Sequence, residues 1–486
     1  MYTLLKPTVL ILSLLFGQWA TAQNDRFPFA MGIPEGEDTE YQELPVKARL
    51  TNENYRSVGS KASLERFAPT PQSQGNYGTC TAWAAGYCGR TILEAQRLEL
   101  TSLAEINQNV FSIGFLYRIS SAAADCNGAF VSKTMEQLRD VGVPKAADFK
   151  EDCPQGALPR ELYTKAADYK IKGFATLWNT NNPATLKQSV QLVKKSISEG
   201  NPVVIAMIVP TSFCQMQTDI WTPDVNDRPS GNQGHAHGRH AMCIIAYDDD
   251  KHGGAFLIQN SWGTYWGNKG RIWIKYKDAA DYIYQAVEMF KLPVVKKQNT
   301  DLAKVDKDPI VLAGSMQLIE DTQQEMTATL QKDNSYKMNK AYRSGTRFRF
   351  YLNNNRTAYV YAIGSDLSNK TFQLFPHKKG ISPMLNYSYS SVPIPSTTEH
   401  IRLDGNTGTD YICVLYSDQP IDLDDLRQNI QRQSNYYTFE QKVKKALGER
   451  LVPAKDIQYV KQKMGFYASS TAGSVVPLFM EMEHID

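Results

Sequence analysis

The sequence predicts an α+β fold followed by a second, mostly β domain, and three observations predict it. Helical periodicity is concentrated in the first half, and apolar, β-branched runs follow it without a βαβ alternation. Beyond a charged stretch near residue 300 the pattern settles into a period of two. The chain has 486 residues, room for two or three domains, and its 42% apolar and 11% aromatic content can fill ordinary cores. Lys plus Arg (53) nearly balances Asp plus Glu (50), leaving a net charge of +3, which argues against a nucleic-acid partner.

Taken in order, Lys6, an apolar run over residues 9–16 and the small residues Ala20-Thr21-Ala22 form the pattern of a secretory signal over 1–22, with cleavage after Ala22. The run is shorter than the roughly 20 residues that cross a bilayer as a helix. No later segment is long and apolar enough to do so, and a soluble, extracytoplasmic protein (secreted or periplasmic) is expected. Residues 23–60 read as a polar, turn-rich extension, and 61–295 as the first domain. There Ala84, Cys88, Ile92 and Ala95 share one helical face, with Thr79 as N-cap and Cys80 in the first turn. A second helix is expected around Leu186, Val190, Val193 and Ile197, then strands at 202–209, 241–247, 255–258 and 272–276. Residues 296–309 are charged, end in Asp-Pro and read as a linker.

In the second domain, 310–486, Phe348, Phe350 and Leu352 alternate with polar neighbours, as do Tyr359, Tyr361 and Ile363, and 412–416 is a further apolar run. A helix carrying Phe439, Val443, Ala446 and Leu447 is expected to close it, and Phe375-Pro376 and Pro393-Ile394-Pro395 read as loops. Lys442, Lys444, Lys445, Lys455, Lys461 and Lys463 read as a solvated basic face, with an anionic glycan or membrane surface as the alternative.

Three separated segments carry the candidate chemistry. In Gln74-Gly75-Asn76-Tyr77-Gly78-Thr79-Cys80-Thr81-Ala82-Trp83, a thiol in the first turn of a helix meets the positive end of the helix dipole, which favours the thiolate. Gln74 is placed to join the Cys80 N–H as an oxyanion hole. His240 opens a buried strand, where a general base is held rigidly, and Asn260 can fix its tautomer while Trp262 keeps water away. Seven cysteines (80, 88, 126, 153, 214, 243 and 413) leave at least one thiol unpaired within the chain. Cys88 and Cys243 read as structural, and Cys214 and Cys413 are unassigned.

These segments, Gln-x-x-x-Gly-x-Cys, His-Ala-x-x-x-x-x-Tyr and Asn-Ser-Trp-Gly-x-x-Trp-Gly in that order, resemble the papain family of cysteine peptidases over about residues 63–295. The resemblance implies a two-lobed fold, a helical lobe against a β-barrel-like lobe. It also implies polypeptide substrates, no cofactor or metal, and Cys80, His240, Asn260 and Gln74 as the catalytic set. Cys126-Asn127-Gly128-Ala129 is similar to the family's substrate-pairing segment, so Gly128 and Ala129 are expected to line the groove. Tyr77 stands where the family has the cysteine that Cys126 would bond, and a Cys126–Cys153 disulfide is expected instead. Thr79, Thr81 and Arg239 also depart from the family pattern, and the Arg239 charge is expected to disfavour an imidazolium at His240. About 40 residues separate the expected signal from the domain, fewer than the family's usual pro-segment, so any latency is expected to be arranged differently, by the N-terminal stretch or the C-terminal domain. The second domain resembles an uncharacterised bacterial β-domain family attached to secreted peptidases, and an unknown protein or glycan is its expected partner.

Three other readings stand beside this one. His235, His237 and His240 spell a spacing seen at zinc sites, against which Arg239 argues. A Cys–His acyltransferase or amidase would more often carry Asp at position 260. A catalytically dead binding module has no need to keep all four residues.

Overall fold

A computed structural model of the chain describes residues 29–34, 38–121, 123, 125–227, 237–294, 310–366, 370–387 and 390–486, with His237 by its backbone alone. The expected signal at 1–22, the linker at 296–309 and His235 lie outside the described residues.

The first half is α+β and two-lobed. A long helix starting at Cys80 runs through Cys80–Ala82 and Trp83–Arg90 to Thr91–Arg97, and the middle portion is π-helical rather than the continuous α-helix its periodicity suggests. It is buried on every side from Cys80 to Gln96, so its residues answer to two cores rather than one stripe. With Ile113–Ser120, Val131–Asp140 and Arg160–Ala167 it forms the helical lobe. The other lobe is built on an eight-stranded sheet in which Val203–Pro210 lies between Ile283–Met289 and His237–Asp248, the latter followed by Ala255–Gln259 and Arg271–Lys275. Val204, Ala206 and Ala241 face the helical lobe, whereas Val203, Ile205, Met207 and Met242 face a second core with Trp221 and helix Leu186–Ser198. A sheet covered on both faces needs apolar residues at every position, and the strand runs are accordingly unbroken.

Residues 310–486 form a β-sandwich. One sheet is centred on Ile310–Glu320 and Arg347–Asn354, the other on Gly408–Ser417, and Leu318, Phe350, Leu352, Val414, Leu478 and Met480 meet between them. Three expectations need correction. Helix Phe439–Leu447 forms as expected but does not close the domain: with Leu423–Arg432 it covers the outer face of the second sheet, and the chain ends in strand Val475–Ile485. That strand pairs with Gly408–Ser417 in the middle of the sheet, and burial on both faces removes the alternation that would have announced it. The segment read as a proline loop, Val392–Ile394, is an edge strand with Pro393 opposite Tyr351, a position where a missing N–H costs nothing. Nor do the lysines make one solvated face, since Lys442 is 2% exposed and donates to Asn435 Oδ1 at 3.2 Å.

Candidate active site

Cys80 begins its helix at the junction of the lobes. Gly78 N–H donates to the Cys126 carbonyl at 2.6 Å, an approach so close that a Cβ on Gly78 would lie 2.8 Å from the Asn127 carbonyl carbon. Cys126 is bonded to Cys153, with Cα atoms 6.0 Å apart. Thr79 occupies the N-cap position but makes no capping bond; its hydroxyl is buried without a partner. The Cys80 sulfur accepts the N–H of Ala241 at 3.3 Å, the residue that follows His240. His240 Nε2 and Asn260 Oδ1 are 2.7 Å apart, which assigns the proton to Nε2 and leaves Nδ1, buried and unpartnered, as a free acceptor. Trp262 stacks on the imidazole at 4.5 Å, backed edge-on by Trp266.

Gln74 is held from both sides. Its Oε1 accepts from Ser261 Oγ at 2.6 Å and its N–H donates to the Ser261 carbonyl at 2.8 Å, while Ser261 N–H donates to Asn260 Oδ1 at 2.7 Å. One buried chain of hydrogen bonds, Gln74–Ser261–Asn260–His240, therefore ties the candidate donor to the imidazole. Ser261 is the positioning residue that sequence reasoning passed over, although it stands inside the Asn-Ser-Trp motif.

The cleft is not empty. Residues 29–34 cross it: Phe29 stacks on Trp262 at 4.6 Å, Gln74 Nε2 donates to the Ala30 carbonyl at 3.2 Å, and Met31 lies against Gly238. Gly32 passes directly over the thiol, where a Cβ would come within 2.3 Å of the Gly78 carbonyl and 2.8 Å of the Cys80 sulfur. Ala129 N–H donates to the Gly32 carbonyl at 3.1 Å and Ile33 N–H to the Arg239 carbonyl at 3.4 Å. Gly128, at φ +146°, has Gly32 and Pro34 on the side where a Cβ would stand, while its carbonyl accepts from Tyr117 and Ser121. Gly128 and Ala129 thus both meet the segment 32–34, which belongs to the chain itself.

This plug inverts the expected electrostatics. Burial pushes the Cys80 thiol up to about 12, against smaller opposing contributions from the N–H groups of Ala241, Gly32, Thr81 and Cys80 itself. Burial also pushes His240 down to about 4, opposed by its bond to Asn260. With the cleft closed, the pair is a neutral thiol beside a neutral imidazole, not the thiolate–imidazolium couple the helix N-terminus suggests. Lost hydration, rather than the Arg239 charge expected from the sequence, is what depresses the imidazolium. An imidazole held below its ordinary 6.5 binds fewer protons when closed than when hydrated, so the closed form loses stability as pH falls from 6.5 toward 4. Amide exchange of residues 29–34, corrected for its intrinsic pH dependence, is expected to lose protection across that window; unchanged protection would separate the plug from the imidazole.

Among the described residues no group of three or more metal-ligating side chains is found. Cys88 and Cys243 are free, buried thiols in mutual contact, and Cys214 and Cys413 are likewise free and buried.

A buried thiol, an imidazole and a supporting amide lie at the junction of a helical and a β lobe, the arrangement of a cysteine-type peptidase domain. Residues 65–290 match the family model described as papain family cysteine protease, and this part of the chain is a domain of that family. Residues 341–420 match a domain of unknown function, DUF4384. Among curated relatives, the uncharacterized peptidase C1-like protein L477 of Acanthamoeba polyphaga mimivirus is 24% identical over 45% of this chain and 70% of its own length. Ananain from Ananas comosus is 24% identical over 48% of this chain and 57% of its own length. The cathepsin L-like proteinase of Fasciola hepatica is 21% identical over 45% and 61%. Xylellain, a cysteine protease from Xylella fastidiosa, superimposes with a TM-score of 0.43 at 19% identity, covering 56% of this chain and 97% of its own.

Proposed function

We propose that the chain is an exported endopeptidase that hydrolyses peptide bonds through a thioester on Cys80, and that residues 29–34 hold it closed until they are displaced. In the open cleft, the Cys80 thiol passes its proton to His240 Nδ1 and the sulfur attacks the scissile carbonyl carbon. Negative charge gathers on the carbonyl oxygen beside Gln74 Nε2 and the Cys80 N–H. The imidazolium then protonates the departing amine as the C–N bond breaks, and the thioester remains. His240 next takes a proton from water, whose oxygen displaces the sulfur and releases the acid, and the imidazolium returns that proton to the departing sulfur to restore the thiol. Asn260 keeps the other ring nitrogen protonated throughout, and Trp262 keeps water off that bond.

The observation that supports this reading is a buried, unpartnered His240 Nδ1 whose other ring nitrogen is held by Asn260, with the Cys80 sulfur on the N–H of the next residue, Ala241. The Ala30 carbonyl at Gln74 Nε2 supports the oxyanion assignment, since a peptide oxygen already takes that hydrogen bond. Export is supported by the Cys126–Cys153 disulfide, which persists in oxidising compartments. Among the described residues no helix is long and apolar enough to cross a membrane. The reading keeps 61–295 as the peptidase domain and 310–486 as a separate β domain.

Gln74→Ala tests the mechanism. It is expected to lower kcat by about 10²-fold on a peptide substrate with KM little changed, because the lost donor acts on the transition state. A loss confined to KM would remove Gln74 from the reaction.

A further inference from the structure

Residues 38–58 are built differently from the plug that precedes them. The plug's contacts described above all fall on the first domain, through scattered backbone bonds and the Phe29 ring. Residues 45–50 instead alternate, with Val46, Ala48 and Leu50 apolar and Lys47 and Arg49 charged, the period of an extended segment lying between two surfaces. Val46 is bridged to Thr176, on the edge strand of the first domain's sheet, and also to Ile381 of the β domain. Four backbone bonds make the double attachment: Lys47 N–H to Thr176 O at 2.8 Å, Thr176 N–H to Pro45 O at 3.0 Å, Val46 N–H to Gly380 O at 2.6 Å, and Ser382 N–H to Val46 O at 2.9 Å. A sheet edge that would otherwise stand open is thereby covered by one strand-like segment and then by the second domain.

The side chains divide the same way. Tyr41 is fully buried in the first domain's core, with its hydroxyl donating to the Trp178 carbonyl at 2.8 Å and accepting from Ala286 N–H at 3.0 Å. Ala48 and Leu50 belong to the β domain's core, where Tyr387 Oη donates to the Ala48 carbonyl at 2.7 Å. Lys47 turns toward the first domain, with its ammonium on the Glu288 carboxylate and over the Tyr387 ring. Glu288 also accepts from Ser196 and Asn201, each at 2.7 Å, and from Asn386 of the β domain. Lys47 is 1% exposed and Glu288 0%, so this charge pair is enclosed by three segments at once, and loss of either partner strands the other as a buried charge.

We infer that residues 38–58 are a permanent staple that binds the β domain to the peptidase domain, and that opening the cleft releases the plug while leaving the staple in place. The contrast with the plug rests on the proposed role of residues 29–34; the staple itself rests on contacts remote from Cys80. The C-terminal domain is then a fixed part of the open enzyme, held by the N-terminal segment rather than by the connection at 296–309.

The test uses the full chain with Cys80→Ala, to exclude self-cleavage, and a sequence-specific protease site placed within 296–309. After complete cutting, the two pieces are expected to co-elute as one particle in size-exclusion chromatography at micromolar concentration. Adding Lys47→Met should weaken their association at least about 100-fold, with circular dichroism of the uncut variant reporting its folding. Tyr387→Phe, which removes one hydroxyl from a buried bond, should weaken it about fivefold to tenfold. Adding Gly32→Leu, which expels the plug, should leave the association unchanged. Separation of the pieces without any of these three changes overturns the staple, as does wild-type association in both Lys47→Met and Tyr387→Phe. Separation caused by Gly32→Leu alone would make plug and staple one unit and overturn the division. A plug that does not block Cys80 would show itself instead in thiol reactivity, leaving the association readout intact.

Discussion

Replacing Gly32 by Leu is expected to raise the rate at which iodoacetamide modifies Cys80 by on the order of 10³-fold. The position has no room for any side chain, because a Cβ there would lie 2.3 Å from a backbone oxygen that cannot yield and 2.8 Å from the reacting sulfur. The chain must therefore leave the cleft over Cys80, and water enters. The thiol now sits near 12 because it is dry; rehydration returns it toward its ordinary 9, and each unit is tenfold in thiolate. Iodoacetamide kinetics followed by peptide mapping give the rate for this residue apart from the other free thiols, all of which are buried. Equal rates in the two chains would mean that residues 29–34 do not guard the thiol.

The second large effect belongs to the nucleophile. Cys80→Ala, in a chain opened by Gly32→Leu, is expected to reduce hydrolysis of a peptide substrate by at least about 10⁴-fold, because no other group near His240 can form the covalent intermediate. Peptide affinity should persist, since Ala129 N–H, the Arg239 carbonyl and the Trp262 ring remain to pair with it. A fluorogenic assay with the same substrate as a binding probe separates the two quantities. Residual turnover within a factor of ten would show that the thiol is not the attacking group.

Much of this site is legible in the sequence, for a definite reason. Cys80, His240, Asn260 and Gln74 must each meet a particular atom, so residue type and spacing are both constrained, and the structure gathers all four between the lobes. The strands of the first domain are equally plain, because a sheet buried on both faces leaves unbroken apolar runs. What was not legible depends on where distant pieces meet. Phe29, Met31 and Gly32 carry no periodicity, and their place over the thiol comes from Trp262, Gly238 and Gly78, all far along the chain. The extension looked polar and turn-rich, yet Val46, Ala48 and Leu50 are buried because two domains close on them. The π-helical stretch Trp83–Arg90 keeps helical composition, and only packing on all sides reveals that it is wound differently. The thiolate expected from the helix N-terminus does not hold in this structure, because burial of Cys80 raises its thiol instead.

A C-terminal domain with no assigned activity gains a structural reason to be present. It completes the enclosure of Lys47 and Glu288 and covers the outer edge of the segment at Val46, so its loss would expose both.

In the proposed reaction Cys80 is the group that attacks. Incubation of the Gly32→Leu chain with an epoxysuccinyl inhibitor, followed by digestion and mass mapping, tests that most directly. The expected result is a single adduct on Cys80, formed in proportion to the loss of peptide hydrolysis. An adduct on another cysteine that accompanies inactivation, or full activity in a chain whose Cys80 is quantitatively modified, would contradict it.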